Sequence, residues 1–192
     1  MILENGFLIK TVEGMTEEMF FDLCQANSEL RMERDQHGNI IVMSPTGADT
    51  GNYNFELYIE IGLWNRKGKL GYAFDSSTGY TLPNGAVRSP DFSWITKERW
   101  ESIPQADRKV FTHTYPDFVV EIRSETDRLG ILKTKMEEYR DNGCRLGWLI
   151  DRKGKAVHIY RADGSSEIIK GEPVTLSGED VLPGFELELS FG

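Results

Sequence analysis

The chain of 192 residues is 39% apolar with four Trp, which is enough to bury one core and gives no reason for a second domain. Its net charge of −9 disfavours the class of proteins that grip nucleic acid by neutralising many phosphates over the whole surface. Met1-Ile2-Leu3-Glu4 is not a basic leader to an apolar run, and no segment approaches the ~20 apolar residues of a membrane span, so a soluble, cytoplasmic protein with no membrane role is expected.

From Thr16 to Leu30 the spacing of Met19, Phe20, Leu23 and Cys24 predicts an amphipathic helix capped by Thr16. Arg31 to Glu33 and Asn39 to Met43, on either side of His37-Gly38, read as a hairpin. After the break at Ser44-Pro45-Thr46-Gly47, residues Asp49 to Arg66 are helical and apolar nearly all round. Tyr53, Leu57, Ile61 and Trp64 form one stripe and Ile59 and Leu63 another, which predicts burial on more than one side. Glu56 and Glu60 lie between the stripes, where a carboxylate either enters a cleft or rides a solvated edge.

Short strands follow at Gly71 to Phe74 and Gly79 to Leu82, then the turn Pro83-Asn84-Gly85 and a strand from Val87 to Ile95. In that last strand Asp91, Ser93 and Ile95 face one way, Phe92 and Trp94 the other. Thr96 caps a short helix through Trp100, and Ser102 to Thr114 reads as polar loop. Asp117 to Arg123 is a β-branched and aromatic strand that places Phe118, Val120 and Ile122 on one face and Asp117, Val119, Glu121 and Arg123 on the other.

The helix that follows has Asp127 as its expected cap, an apolar arc of Leu129, Ile131, Leu132, Met136 and Tyr139, and Asn142-Gly143 as its stop. Lys135 falls inside the arc, four residues from both Ile131 and Tyr139. Either its methylenes cover apolar surface while the ammonium snorkels to water, or the ammonium meets anions inside. Leu146 to Ile150 and Ala156 to Tyr160 form a hairpin closed at Lys153-Gly154, with later strands at Glu167 to Ile169 and Glu186 to Leu189.

Cys24 and Cys144 have no CxxC spacing and read as reduced thiols, and His37, His113 and His158 form no ligand pattern. Any metal is therefore expected on oxygen. Between Arg123 and Arg161 ten Lys/Arg stand against six Asp/Glu, +4, leaving −13 on the rest, which permits a basic face.

Asp91 and Glu121 on neighbouring strands, with Lys135 reaching in from the helix, make two hard oxygen donors beside an ammonium. That set suits Mg²⁺ or Mn²⁺ and phosphodiester hydrolysis. Two carboxylates alone also serve glycosidases; the lysine favours phosphoryl chemistry.

The run Phe74-Asp75-Ser76-Ser77-Thr78-Gly79-Tyr80-Thr81-Leu82-Pro83-Asn84-Gly85-Ala86-Val87-Arg88-Ser89-Pro90-Asp91, with Pro116 to Ser124 and Lys135 to Tyr139, resembles the Uma-two family of restriction-endonuclease-like proteins within the PD-(D/E)xK nuclease superfamily. The resemblance, from about Ser44 to Tyr160, implies an α/β (α+β) fold: a mixed β-sheet flanked by helices, with additional β-hairpins. The expected layout is one domain over 1–192, comprising an N-terminal helix and hairpin to 45, a nuclease core over about 46–160 and C-terminal strands over 161–192.

The same resemblance implies Asp91 and Glu121 as ligands of Mg²⁺ (or Mn²⁺) and Glu56 as an additional helical carboxylate, with Asn52 and Asn54 as lesser candidates. Where the superfamily pattern has lysine, two residues after Glu121, this chain has Arg123, and the resemblance makes Lys135 the migrated replacement. Asp117 is open between a third carboxylate and a turn residue at the strand start, and Arg123 between a phosphate contact and an ion-pair partner of Glu121. The implied activity is a Mg²⁺-dependent DNA endonuclease acting as a homodimer. The competing reading is a non-catalytic interaction or regulatory protein that retains the fold and binds an unidentified protein partner. A different metal-dependent hydrolase is a third. For base reading the Ser102 to Thr114 loop is the candidate segment.

Overall fold

The structure, a computed structural model, describes residues 2–3, 6–11 and 15–191; Met1 and Glu4 of the amino-terminal run considered above lie outside the described residues. The first elements are β1 (Ile2–Leu3), β2 (Gly6–Ile9), α1 (Glu17–Ala26), β3 (Arg31–Arg34), β4 (Ile40–Met43) and α2 (Ala48–Gly68). Next come β5 (Gly71–Asp75), β6 (Tyr80–Thr81), β7 (Val87–Arg88), β8 (Phe92–Thr96), α3 (Lys97–Ser102), a 3₁₀ turn (Asp107–Lys109) and β9 (Thr112–His113). The chain continues with β10 (Phe118–Ile122), α4 (Leu129–Asp141), β11 (Leu146–Asp151), β12 (Ala156–Arg161), β13 (Ser166–Lys170), β14 (Val174–Ser177) and β15 (Glu186–Leu189). No helix among the described residues is long and apolar enough to cross a membrane.

A six-stranded mixed sheet in the order β13-β12-β11-β10-β8-β5 forms the centre. β10 runs parallel to β11 and antiparallel to β8, and β10 and β11 are buried along their whole length, which explains why they are apolar apart from Glu121 and Asp151. The alternation read from the sequence holds. Phe118, Val120 and Ile122 pack with Leu57 and Ile61 of α2 and with Val174, Leu176, Leu187 and Leu189 of the β14–β15 hairpin. Val119 packs on the other side with Met136 and Tyr139 of α4, so Glu121 faces α4. Thr16 caps α1 as expected, accepting from the Met19 N–H at 3.2 Å, a bond worth about 1 kcal/mol.

The second sheet runs β1-β2-β4-β3-β7-β6-β9, with Phe20 of α1, Met32, Ile40, Val42 and Val87 as its core. Its junction with the central sheet corrects one expectation. Instead of a single strand from Val87 to Ile95, β7 belongs to one sheet and β8 to the other, the break falling at Ser89-Pro90-Asp91; a proline has no N–H for a ladder. Three residues, Ser89 to Asp91, therefore carry the chain from Arg88 in one sheet to Phe92 in the other.

Other expectations are also corrected. α2 is buried along one side only: Leu57 and Ile61 are inside, whereas Phe55, Leu63 and Ile59 are 59%, 56% and 36% exposed. α4 starts after Arg128, and Asp127 does not cap it; its carboxylate accepts from the Ser124 N–H at 2.8 Å instead. Ile131, placed in the apolar arc, is 48% exposed. Part of the expected polar loop is structured: β9 pairs with β6, and Phe111 stacks edge-on against Phe21, 5.2 Å between ring centroids.

Candidate active site

Asp91 stands at the mouth of β8, and the antiparallel register that pairs Val120 with Phe92 sets it beside Glu121 of β10. Asp91 Oδ2 accepts the Ile122 N–H at 2.9 Å, which pins the carboxylate to the neighbouring strand. From α4, Lys135 Nζ reaches Glu121 Oε1 at 2.8 Å, so the ammonium meets anions inside. The Tyr139 hydroxyl, one turn further along α4, donates to the same Glu121 oxygen at 3.0 Å. Among the described residues no hydrogen bond engages Asp91 Oδ1 or Glu121 Oε2.

A further carboxylate completes the cluster and was not anticipated. Glu33 of β3 is 3% exposed. Its Oε1 takes Lys135 Nζ at 2.9 Å and the Ser89 N–H at 2.9 Å, and its Oε2 takes Arg88 Nη1 at 3.0 Å. Arg88 Nε in turn meets Glu138 Oε2 at 2.6 Å, and Asn84 Nδ2 donates to Glu138 Oε1 at 3.0 Å. The signal in the sequence was a glutamate in the middle of a short strand, the same anomaly that singled out Glu121.

This network holds the buried Glu121, Glu33 and Arg88 and the half-buried Asp91, Glu138 and Lys135, four negative groups against two positive. The imbalance falls on the central pair. Burial, reinforced by the Asp91 and Glu33 charges and only partly offset by Lys135, pushes the Glu121 carboxyl up to about 7, and burial raises Asp91 as well. Burial acts to raise Glu33 too, but Lys135, Arg88 and the Ser89 N–H outweigh it and hold it low. Lys135 lies above the ordinary lysine range: burial opposes its charge, and the Glu121 and Glu33 carboxylates more than compensate.

The residues present fit a divalent cation, because it would cancel the charge deficit and find hard oxygen donors. Among the described residues no group of three or more His, Cys, Asp or Glu gathers for a metal; the two carboxylates that could hold one are those of Asp91 and Glu121, and water would have to complete the shell, as Mg²⁺ tolerates.

The site opens into a cleft of about 1140 Å³ lined by Arg31, Glu33, Arg88, Asp91, Glu121 and Lys135, with the Thr46–Thr50 and Ser124–Arg128 segments at its rim. The lining holds ten acidic residues and four Lys/Arg, a surface that draws cations in preference to bare phosphates. The basic face permitted by the sequence is largely neutralised. Of the ten cations from Arg123 to Arg161, Arg123, Lys135, Arg140, Arg145, Lys153, Lys155 and Arg161 all sit in ion pairs.

Glu56 is not brought together with the other candidates: it is exposed and does not line the cleft. Asn52 is exposed as well, and α2 instead presents Asn54 to the cleft, its Oδ1 buried without a partner. Asp117 is the strand-start residue: its carboxylate accepts the Thr96 N–H at 2.9 Å and pairs with Arg99 at 3.1 Å. Arg123 is neither a phosphate contact in the cleft nor the partner of Glu121; it pairs with Asp151 at 3.0 Å and donates to the Asp127 carbonyl. No residue from Ser102 to Thr114 lines the cleft, so that segment is not placed to read bases there.

No curated protein matches this chain. Among solved structures, the fold is similar to that of a protein from Anabaena variabilis described as "a putative nuclease", with 21% sequence identity, coverage of 85% of this chain and 88% of that chain, and a TM-score of 0.69. That likeness shows a shared mixed α+β fold, at an identity that speaks for fold alone. The sequence pattern of a family described as "Putative restriction endonuclease" matches residues 17–190. Since that match covers almost the whole sequence, the chain belongs to the Uma2 family.

Proposed function

We propose that this protein is a metal-dependent endonuclease that hydrolyses DNA phosphodiester bonds, with Asp91 and Glu121 holding Mg²⁺ or Mn²⁺ and Lys135 assisting. The observation that carries the reading is the buried ammonium of Lys135, 2.8 Å from Glu121 on the strand beside Asp91. When bound, the cation supplies Lewis-acid polarisation of phosphate and lowers the pKa of water.

The protein's own groups do the rest. Lys135 stays protonated at neutral pH because two carboxylates face it, so its role is to stabilise charge growing on the phosphate, not to remove a proton. Tyr139 fixes the Glu121 carboxylate by donating to Oε1. The Ile122 N–H orients Asp91. Cutting both strands of a duplex calls for two such sites, most simply in a twofold homodimer, which sedimentation would reveal as a species of twice 21.9 kDa.

The test is nicking or linearisation of supercoiled plasmid at low salt with Mg²⁺ or Mn²⁺. Cleavage by wild type that vanishes in Asp91→Asn, Glu121→Gln and Lys135→Ala supports the reading; wild type that cuts nothing under any of these conditions overturns it. One observation favours the second reading, a non-catalytic interaction protein: the cleft is acid-rich and most of the basic segment is already paired. Binding of a basic protein partner by wild type that neither binds a divalent cation nor cuts would establish it.

A further inference from the structure

Lys135 has two partners at nearly equal distance, Glu121 Oε1 at 2.8 Å and Glu33 Oε1 at 2.9 Å. They are not equivalent. Glu121 is also a metal donor in the reading proposed above. A carboxylate that turned to a divalent cation would leave the ammonium facing a second positive charge, and like charges at such range repel strongly in a partly desolvated site. With Glu121 as its only anchor, Lys135 would swing away when the site is loaded.

Glu33 is built to prevent this. It comes from β3, in a different sheet from Glu121, so its position does not depend on β10. It is fixed by the Ser89 N–H at 2.9 Å and Arg88 at 3.0 Å. Arg88 is itself tied at 2.6 Å to Glu138, three residues after Lys135 on α4. Two bridges therefore strap α4 to the second sheet, one through Lys135–Glu33 and one through Glu138–Arg88.

We propose that Glu33 is the positioning residue for Lys135, keeping the ammonium at the site when the charge of Glu121 is committed elsewhere. The inference rests on the nuclease reading for its purpose, but its physical content belongs to the metal-free protein. The β3–β4 region is then a working part of the active site and not a peripheral ornament.

Glu121→Gln imitates the loss of that charge without any metal. The experiment measures acylation of Lys135 by mass spectrometry in metal-free wild type, Glu121→Gln, and Glu121→Gln combined with Glu33→Gln. The expected result is that Lys135 in Glu121→Gln stays protected within about twofold of wild type, whereas the double variant is labelled at least about tenfold faster. Equal labelling of the single and double variants overturns the proposal. If the double variant does not fold, Glu33→Asp replaces Glu33→Gln; it keeps a charge for Arg88 but draws the oxygens back by one methylene, and the same ordering is expected at smaller amplitude.

In cleavage assays Glu33→Gln is expected to lower kcat about tenfold with KM for DNA nearly unchanged, since Glu33 would act through Lys135, which it holds at 2.9 Å. A purely structural role would lower Tm and leave kcat of the folded fraction intact. Failure of wild type to cut DNA would remove the nuclease reading without altering the labelling result, so the two failures are distinguishable.

Discussion

Two buried acids lie four residues apart along the same face of one strand, and the protein treats them oppositely. Asp117, 1% exposed, spends both oxygens inside the fold, one on the Thr96 N–H and one on Arg99. Glu121, 4% exposed, has both its partners on a single oxygen, in a cluster with more carboxylates than cations. The first is a satisfied polar group that fixes the start of β10. The second is held ready at a charge cost that burial makes large. A buried carboxylate by itself therefore says little; the uncompensated one is the candidate for a functional role.

The contrast is sharpest in activity. Asp91→Asn, Glu121→Gln and Lys135→Ala are each expected to reduce plasmid cleavage by about 10²–10³-fold, in the range seen when a group that stabilises transition-state charge is removed, whereas Asp117→Asn should leave the folded protein active. In stability the order reverses. Asp117→Ala strands the partly exposed Arg99 and the Thr96 N–H, and denaturant unfolding should register a loss of about 2–3 kcal/mol.

Glu121 should do the opposite as pH rises. Its folded pKa of about 7 lies above the ordinary 4.5, so folding favours the protonated form; the contribution is complete below pH 4.5 and is lost as pH climbs through 7. At about 1.4 kcal/mol per tenfold change in proton activity the loss approaches ~3 kcal/mol. Metal-free wild type should therefore unfold more easily at pH 8 than at pH 5, and Glu121→Gln should flatten that difference. A smaller effect is expected at Arg123: Arg123→Ala should cost about 1–2 kcal/mol by breaking the Asp151 pair, with no change in the salt dependence of DNA binding. Smallest of all, Glu56→Gln should alter cleavage rates less than twofold.

Asp91, Glu121 and Lys135 were legible in the sequence because strand alternation and helical angle are local: they need only the direction each side chain leaves the backbone. Glu33 was not, since it reaches the cluster through a pairing of β3 with β7 that rests on Arg34 opposite Val87, and no local periodicity encodes that partnership. Arg123 was misread for the same reason, its partner Asp151 lying at the end of the next parallel strand. Ile59 and Leu63, 36% and 56% exposed, looked buried because apolar spacing identifies a face, not whether the fold supplies anything to cover it. The break at Ser89-Pro90 was visible as a proline, yet only the two-sheet topology gives it meaning.

The most direct test of the contrast between Glu121 and Asp117 is calorimetric titration of Mn²⁺ at pH 8 into wild type, Asp91→Asn and Asp117→Asn. The expected result is divalent-cation binding by wild type, its loss in Asp91→Asn and its retention within about twofold in Asp117→Asn. No binding by folded wild type, or equal loss in both variants, would contradict the claim that the uncompensated carboxylates form a metal site.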